Sequence, residues 1–149
     1  MRTRLFVLAA LVGALIAVGV ASADDGGRPF TTTLTGAAEI PGPGDPNASG
    51  TASIQLNQGQ GEVCFELSWA DVDGTVFASH IHVGSATVAG PVVVPLFVGQ
   101  SFSGTGSASG CVPADEELIK AIRQNPEGYY VNVHSTVFPA GAIRGQLGK

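Results

Sequence analysis

The feature that most restricts the fold is a pair of alternating segments, TASIQLNQ (51–58) and EVCFELSWA (62–70), separated by a glycine-rich turn. In both segments every second side chain is apolar, which is the period of a β-strand with one buried face. The Gly-Gln-Gly turn at 59–61 permits a tight reversal of the chain. The two segments therefore predict an antiparallel hairpin with one face in the core and one face in water.

Similar short segments recur along the chain between glycine- and proline-rich turns. They are RPFTTTLTG (28–36), TVFASHIHVG (75–84), VVVPLFVG (92–99), YYVNVHSTVF (129–138) and a closing segment at 142–147. Within 75–84 the alternation places Phe77, Ile81 and Val83 on the core face, and Pro95 indicates an edge strand or a bulge. We predict a mainly β domain, an antiparallel Greek-key β-sandwich of seven or eight strands.

One segment has helical rather than strand periodicity. Leu118, Ile119 and Ile122 share a face at helical spacing, and acidic residues occupy 115–117 at the start of the segment. We therefore predict one short helix near 114–124. Because the chain shows no repeat of fixed period and no linker, residues 28–149 are predicted to form a single domain.

The first 23 residues have the pattern of a secretory signal peptide. Arg2 and Arg4 precede a 16-residue apolar run, which ends in the small residues Ala21-Ser22-Ala23. A membrane-spanning helix needs about 20 apolar residues, so this run is short for an anchor. We expect cleavage after Ala23 and a mature protein without a membrane span that is secreted, periplasmic or held at the cell surface.

The charge balance restricts the possible partners. The chain has 7 basic and 12 acidic residues, a net charge of −5, and no basic cluster. Such a surface does not attract phosphate backbones, so nucleic acid is excluded as a partner. An extracytoplasmic protein or a metal ion remains as the partner.

Cys64 and Cys111 are the only cysteines. In an exported chain, two cysteines most simply form one disulfide, whereas free thiols or thiolate metal ligands are the alternative. A bond closing a loop of about fifty residues stabilises the fold by roughly 4 kcal/mol in the chain-entropy description.

The chain has three histidines, at positions 80, 82 and 134. Residues two apart on a strand point to the same face with Cα atoms about 7 Å apart, so His80 and His82 can approach one ion. His134 completes the set only if its strand lies beside theirs. Three imidazoles with an open position suit copper or zinc. The alternative is that His80 and His82 are polar residues on the wet face of a sheet and that His134 hydrogen-bonds a loop.

Three segments together resemble the CHRD domain family, named for chordin: TLTGAAEIP, HIHVG and YYVNVHSTVFPAGAIRGQL. The resemblance runs from about Phe30 to Leu147. It implies a secreted β-domain without a settled enzymatic activity, and so it supplies no catalytic residues. The family commonly has Glu before Ile-Arg-Gly, where this chain has Ala142.

The histidine pattern is also similar to the copper site of copper–zinc superoxide dismutase. No fourth histidine is present to bridge two metals, so at most one ion is expected. Arg144 is interpreted as a structural residue that pairs with a carboxylate or caps carbonyls, or alternatively as a cation that steers anions toward the histidines. The sequence thus favours a non-enzymatic extracytoplasmic binding module. The alternative is a copper- or zinc-binding protein, either a carrier or a dismutase-like site.

Overall fold

The computed structural model describes residue 27 and residues 29–148. The predicted signal peptide, with its cleavage position at Ala23, lies outside the described residues. Among the residues that are described, no helix has the length and apolar character needed to cross a membrane.

Within residues 29–148 the domain has eight strands and one α-helix. The strands are β1 (Phe30–Thr35), β2 (Ser49–Asn57), β3 (Glu62–Ala70), β4 (Val76–Val83), β5 (Val92–Phe102), β6 (Gly106–Pro113), β7 (Tyr129–Ser135) and β8 (Ile143–Gln146), and helix α1 is Glu116–Gln124. Single 3-10 turns occupy Gly36–Ala38, Gln58–Gln60 and Pro126–Gly128. The predicted class, a mainly antiparallel β domain with one short helix, is confirmed.

The strands form one continuous sheet in the order β5-β4-β7-β8-β1-β2-β3-β6. Strand β1 joins the two halves, because it pairs with β2 on one side and with β8 on the other. The edge strands β5 and β6 contact each other, so the sheet curls into a nearly closed barrel. The pairings of β3 with β6 and of β4 with β7 are non-consecutive, as in Greek-key connections.

The β2–β3 hairpin has the predicted register and faces. The strands pair from Ser49 opposite Ala70 to Asn57 opposite Glu62, and Gly61 takes the left-handed conformation that closes the turn. The alternating apolar side chains point inward and form the centre of the core with residues from the other strands. They are Ala52, Ile54, Leu56, Val63, Phe65, Leu67 and Trp69.

Helix α1 begins where its sequence directs. The Asp115 carboxylate accepts hydrogen bonds from the backbone N–H groups of Glu117 and Leu118, which are unpaired donors of the first turn. Ile119 and Ile122 are fully buried in the core. The helix therefore covers the end of the barrel beside the β2–β3 turn.

The predicted disulfide is present. Cys64 of β3 and Cys111 of β6 lie directly opposite each other, and their sulfur atoms are 2.03 Å apart. The bond fastens the edge strand β6 to its neighbour.

The face predicted for Phe77 is wrong. The pairing of β4 with both its neighbours shifts register between Val76 and Ala78. This irregularity turns Phe77 away from the core, and its ring lies 6.2 Å from the ring of His134. Ile81, beyond the shift, is fully buried in the core as predicted.

Candidate metal centre

The structure brings the three histidines together, because β4 and β7 are adjacent antiparallel strands. His80 lies opposite Asn132, and His134 lies opposite Ala78 on the same face. One nitrogen of each histidine lies within 4.8 Å of the others. A tetrahedral metal about 2.1 Å from each nitrogen holds its ligand nitrogens about 3.4 Å apart, so the rings must move by roughly 1 Å for all three to coordinate.

The hydrogen bonds of the rings assign their tautomers. His82 Nδ1 donates to the carbonyl of Gly90 at 2.8 Å, and His134 Nδ1 donates to the carbonyl of Pro139 at 3.1 Å. Each of these rings therefore keeps a lone pair on Nε2. His80 Nδ1 lies 3.0 Å from His134 Nε2, to which it donates in the metal-free protein.

The ring of His82 has an unusual environment. Its Nε2 is buried and has no hydrogen-bond partner. Buried polar atoms are nearly always paired, because leaving one unpaired destabilises the fold. The lone pair of His82 Nε2 is therefore available to an ion among the three rings.

Electrostatics keep two of the rings neutral. Burial lowers the pKa of His80 to about 4, with further lowering by the neighbouring His134 and His82. Burial also lowers the pKa of His134, although its bond to the Pro139 carbonyl acts in the opposite direction. At neutral pH neither ring carries a second proton, although the single ring proton of His80 must move from Nδ1 to Nε2 before Nδ1 can bind a metal.

An aromatic and cationic layer holds His82 in place. The Tyr130 ring stacks on His82 with ring centroids 4.8 Å apart and planes 10° apart. The Arg144 guanidinium lies over the Tyr130 ring, 3.3 Å from its centroid. Since β7 lies between β4 and β8, Tyr130 links the arginine to the histidine.

Arg144 also holds the segment 84–90 over this face. Its guanidinium donates to the carbonyls of Ser85 at 2.7 Å and Val88 at 3.1 Å, and the residue is only 1% exposed. The same segment supplies Gly90, whose carbonyl accepts from His82. Arg144 thus caps carbonyls and orients a histidine, while a role in steering anions stays a prediction.

Sequence reasoning assigned no role to Glu39, which the structure buries to 4% exposure. Its Oε1 has no hydrogen-bond partner, and burial raises the pKa of the carboxyl to about 7 against the lowering effect of Arg144. The Glu39 carboxyl packs against Gly141, where an added Cβ would lie 2.5 Å from the carboxyl atoms. Glu39 therefore lies beside Ala142, the position where the family commonly has Glu.

Other members of the site were also missed from the sequence, with different signals available. The alternation in YYVNVHS places Tyr130, Asn132 and His134 on one face, so the sequence contains a signal for the first two. No local pattern marks Gly90 as the acceptor for His82.

A second cluster, Glu62 with Cys64 and Cys111, has no free thiolate, because the two cysteines form the disulfide.

These observations define a disulfide-linked β-domain with a three-histidine cluster under a loop. The CHRD domain family matches residues 30–147, and the chain belongs to that family. Comparison with curated proteins and with solved structures gave no match. The family and the disulfide are consistent with an extracellular protein.

Proposed function

We propose that this CHRD-domain protein binds a copper or zinc ion through His80 Nδ1, His82 Nε2 and His134 Nε2. The observation that carries the proposal is the convergence of one nitrogen from each ring, together with a buried His82 Nε2 that has no hydrogen-bond partner. Imidazole nitrogen suits both ions, and the general affinity order of divalent metals places Cu(II) above Zn(II). Metal binding is thus the proposed form of the extracytoplasmic binding role.

The proposed centre has three protein ligands and one open position. His82 and His134 are buried, whereas His80 is half-buried, so the open position faces solvent on the His80 side. An ion held there is accessible for transfer, and we infer a metal carrier. A superoxide assay on the copper-loaded protein separates a carrier from a dismutase-like enzyme.

The predicted export of the chain supports this proposal. The proposed signal peptide at 1–23 directs the chain to a compartment where the disulfide is stable, and where metal ions are exchanged without competition from cytosolic thiols. The expected location is secreted, periplasmic or at the cell surface.

The test is calorimetric titration of tag-free protein with Cu(II) and with Zn(II). We expect one ion per chain, and a loss of at least about 100-fold in affinity for the His80→Ala/His82→Ala variant, because two of three ligands are gone. The control is Ser107→Ala, an exposed position on β6, which should bind as the wild type does. Equal binding by the wild type and the double variant would refute the proposal.

A further inference from the structure

The polar face of β4 and β7 carries a second buried atom without a partner. Among the described residues, four buried side-chain atoms have no hydrogen-bond partner, and two of them are His82 Nε2 and Asn132 Oδ1. Both belong to the sheet face on which the histidines converge. A single occupant beside the histidines can satisfy both atoms.

The strand register places Asn132 within the histidine cluster. It lies directly opposite His80 on the neighbouring strand, and it precedes His134 by two residues on the same face. Side chains of directly opposed residues have Cβ atoms about 5 Å apart. His80 and His82 on β4, with Asn132 and His134 on β7, therefore form a four-cornered group around one space.

The chemistry of the fourth corner differs from that of the other three. The Asn132 amide oxygen only accepts hydrogen bonds, whereas a water molecule bound to a metal is a strong donor. Three imidazole ligands leave one coordination position for such a water. The metal satisfies the orphaned nitrogen of His82, and its water satisfies the orphaned oxygen of Asn132.

We propose that Asn132 Oδ1 accepts a hydrogen bond from the water on the metal and so acts as a positioning residue for whatever ligand occupies that place. This inference rests on the proposed function. It predicts that the open position prefers small oxygen ligands carrying an O–H group, such as water or hydroperoxide. Anions that only accept hydrogen bonds, such as azide, lose the bond to Asn132.

The first part of the test concerns the metal-free protein. Replacing an orphaned buried oxygen with an apolar group of similar size removes an unfavourable interaction. The Asn132→Leu variant should therefore unfold at the same temperature as the wild type or a higher one. A structural asparagine would show a lower melting temperature in this variant.

The second part measures azide binding to the copper-loaded protein by its charge-transfer absorption. We expect Asn132→Leu to bind azide about three- to tenfold more tightly than the wild type, which is the worth of one hydrogen bond. Its Cu(II) affinity should stay within about threefold of the wild type. Asn57→Leu is the control for the two binding measurements, because Asn57 is another buried asparagine with an orphaned Oδ1 and lies on β2 away from the histidines. Its melting temperature is not compared, because Asn57 Nδ2 also donates to Glu62 Oε1.

The outcomes separate this inference from the metal site itself. Unchanged or weaker azide binding at normal Cu(II) affinity would overturn the role of Asn132 and leave the metal site intact. A large loss of Cu(II) affinity in Asn132→Leu would make Asn132 a direct ligand and would also overturn it. A wild type that binds no Cu(II) would overturn the metal site. If Asn132→Leu does not fold, Asn132→Ala gives the same readouts.

Discussion

Polar side chains are exposed on one region of the outer surface of the sheet and buried on another. On β1, β2, β3 and β6 the outward face carries a complete cross-strand row of exposed hydroxyl side chains in Thr33, Thr51, Ser68 and Ser107. We call this the hydroxyl face. On β4, β7 and β8 the outward side chains are His80, His82, Tyr130, Asn132, His134, Arg144 and Gln146, and most of them are buried. We call this the covered face.

The two faces differ in exposure because segment 84–90 lies over the covered face and not over the hydroxyl face. The covered face binds it through Arg144, Gln146 and His82, which contact backbone carbonyls of the segment. Burying polar groups destabilises a fold unless each finds a partner, and the covered face leaves His82 Nε2 and Asn132 Oδ1 without one. A buried face whose polar atoms are not all hydrogen-bonded is typical of a ligand-binding site.

Removing the disulfide should lower the stability of the protein without changing metal binding on the covered face. Replacing Cys64 and Cys111 with serine removes the link between β3 and β6 at the margin of the hydroxyl face, and should lower the free energy of unfolding by about 4 kcal/mol. Cu(II) affinity should not change, because the covered face lies on other strands. Urea denaturation and a Cu(II) titration measure the two quantities. A loss of copper binding in the folded variant would contradict this separation.

Arg144 should affect both stability and metal binding. Arg144→Leu leaves the buried carbonyls of Ser85 and Val88 without their donors, and should lower the free energy of unfolding by about 3 kcal/mol. It also frees Tyr130 and segment 84–90, so Cu(II) affinity should fall about 10- to 100-fold, as for other residues that orient metal ligands. Lys120→Met is the control, because Lys120 forms an exposed ion pair with Glu117 and should change neither quantity measurably. Normal copper affinity in Arg144→Leu would contradict the positioning role.

Glu39 should give the covered side of the barrel a distinctive pH dependence. Its folded pKa of about 7 is above the ordinary value of 4.5. Its contribution to stability is therefore fully present below pH 4.5 and is lost as pH rises through 7. Glu39→Gln removes this loss, so the variant should be more stable than the wild type at pH 8 and equal to it near pH 4.5.

The comparison of Glu39→Gln with the wild type cancels the opposing effect of His80. The pKa of His80 is lowered from 6.5 to about 4, so its contribution is present above pH 6.5 and is lost as pH falls to 4. Urea denaturation of both proteins at the two pH values is the measurement. A constant difference across the range would mean that Glu39 does not titrate as described.

The hydroxyl face should show the smallest effect. Thr51 and Ser68 share an exposed hydrogen bond of 2.8 Å between their hydroxyl oxygens. Thr51→Val loses it but keeps a β-branched side chain, so the free energy of unfolding should change by less than about 0.5 kcal/mol. Thermal denaturation checks this. A change as large as that of Arg144→Leu would remove the contrast between the two faces.

The sequence predicted the elements whose signals are local. The period of two in 51–58 and 62–70 gave the hairpin and its buried face, and the spacing of Ile119 and Ile122 gave the helix. The pairing of the two cysteines followed from their number. Local patterns do not show that one strand joins two halves into a continuous sheet, because strand order depends on contacts between distant segments.

Only part of the candidate site could be predicted from the sequence, for the same reason. The alternation around residue 81 placed His80 and His82 on one face, but the approach of His134 depended on the pairing of β4 with β7, some fifty residues apart. The register shift that moved Phe77 has no mark in the alternation. Glu39 reads as an isolated acid in a proline-rich loop, and only the packing of Gly44 and Gly141 around it shows that it is buried.

The most direct test of the metal site is a nitrogen-resolved NMR titration of the histidine rings with Zn(II). We expect saturation at one ion per chain, with the large shifts at His80 Nδ1, His82 Nε2 and His134 Nε2. The Nδ1 atoms of His82 and His134 should keep their protons, because backbone carbonyls hold them. Rings that do not respond to one equivalent of Zn(II), or that bind it through other nitrogens, would rule out the three-histidine metal site.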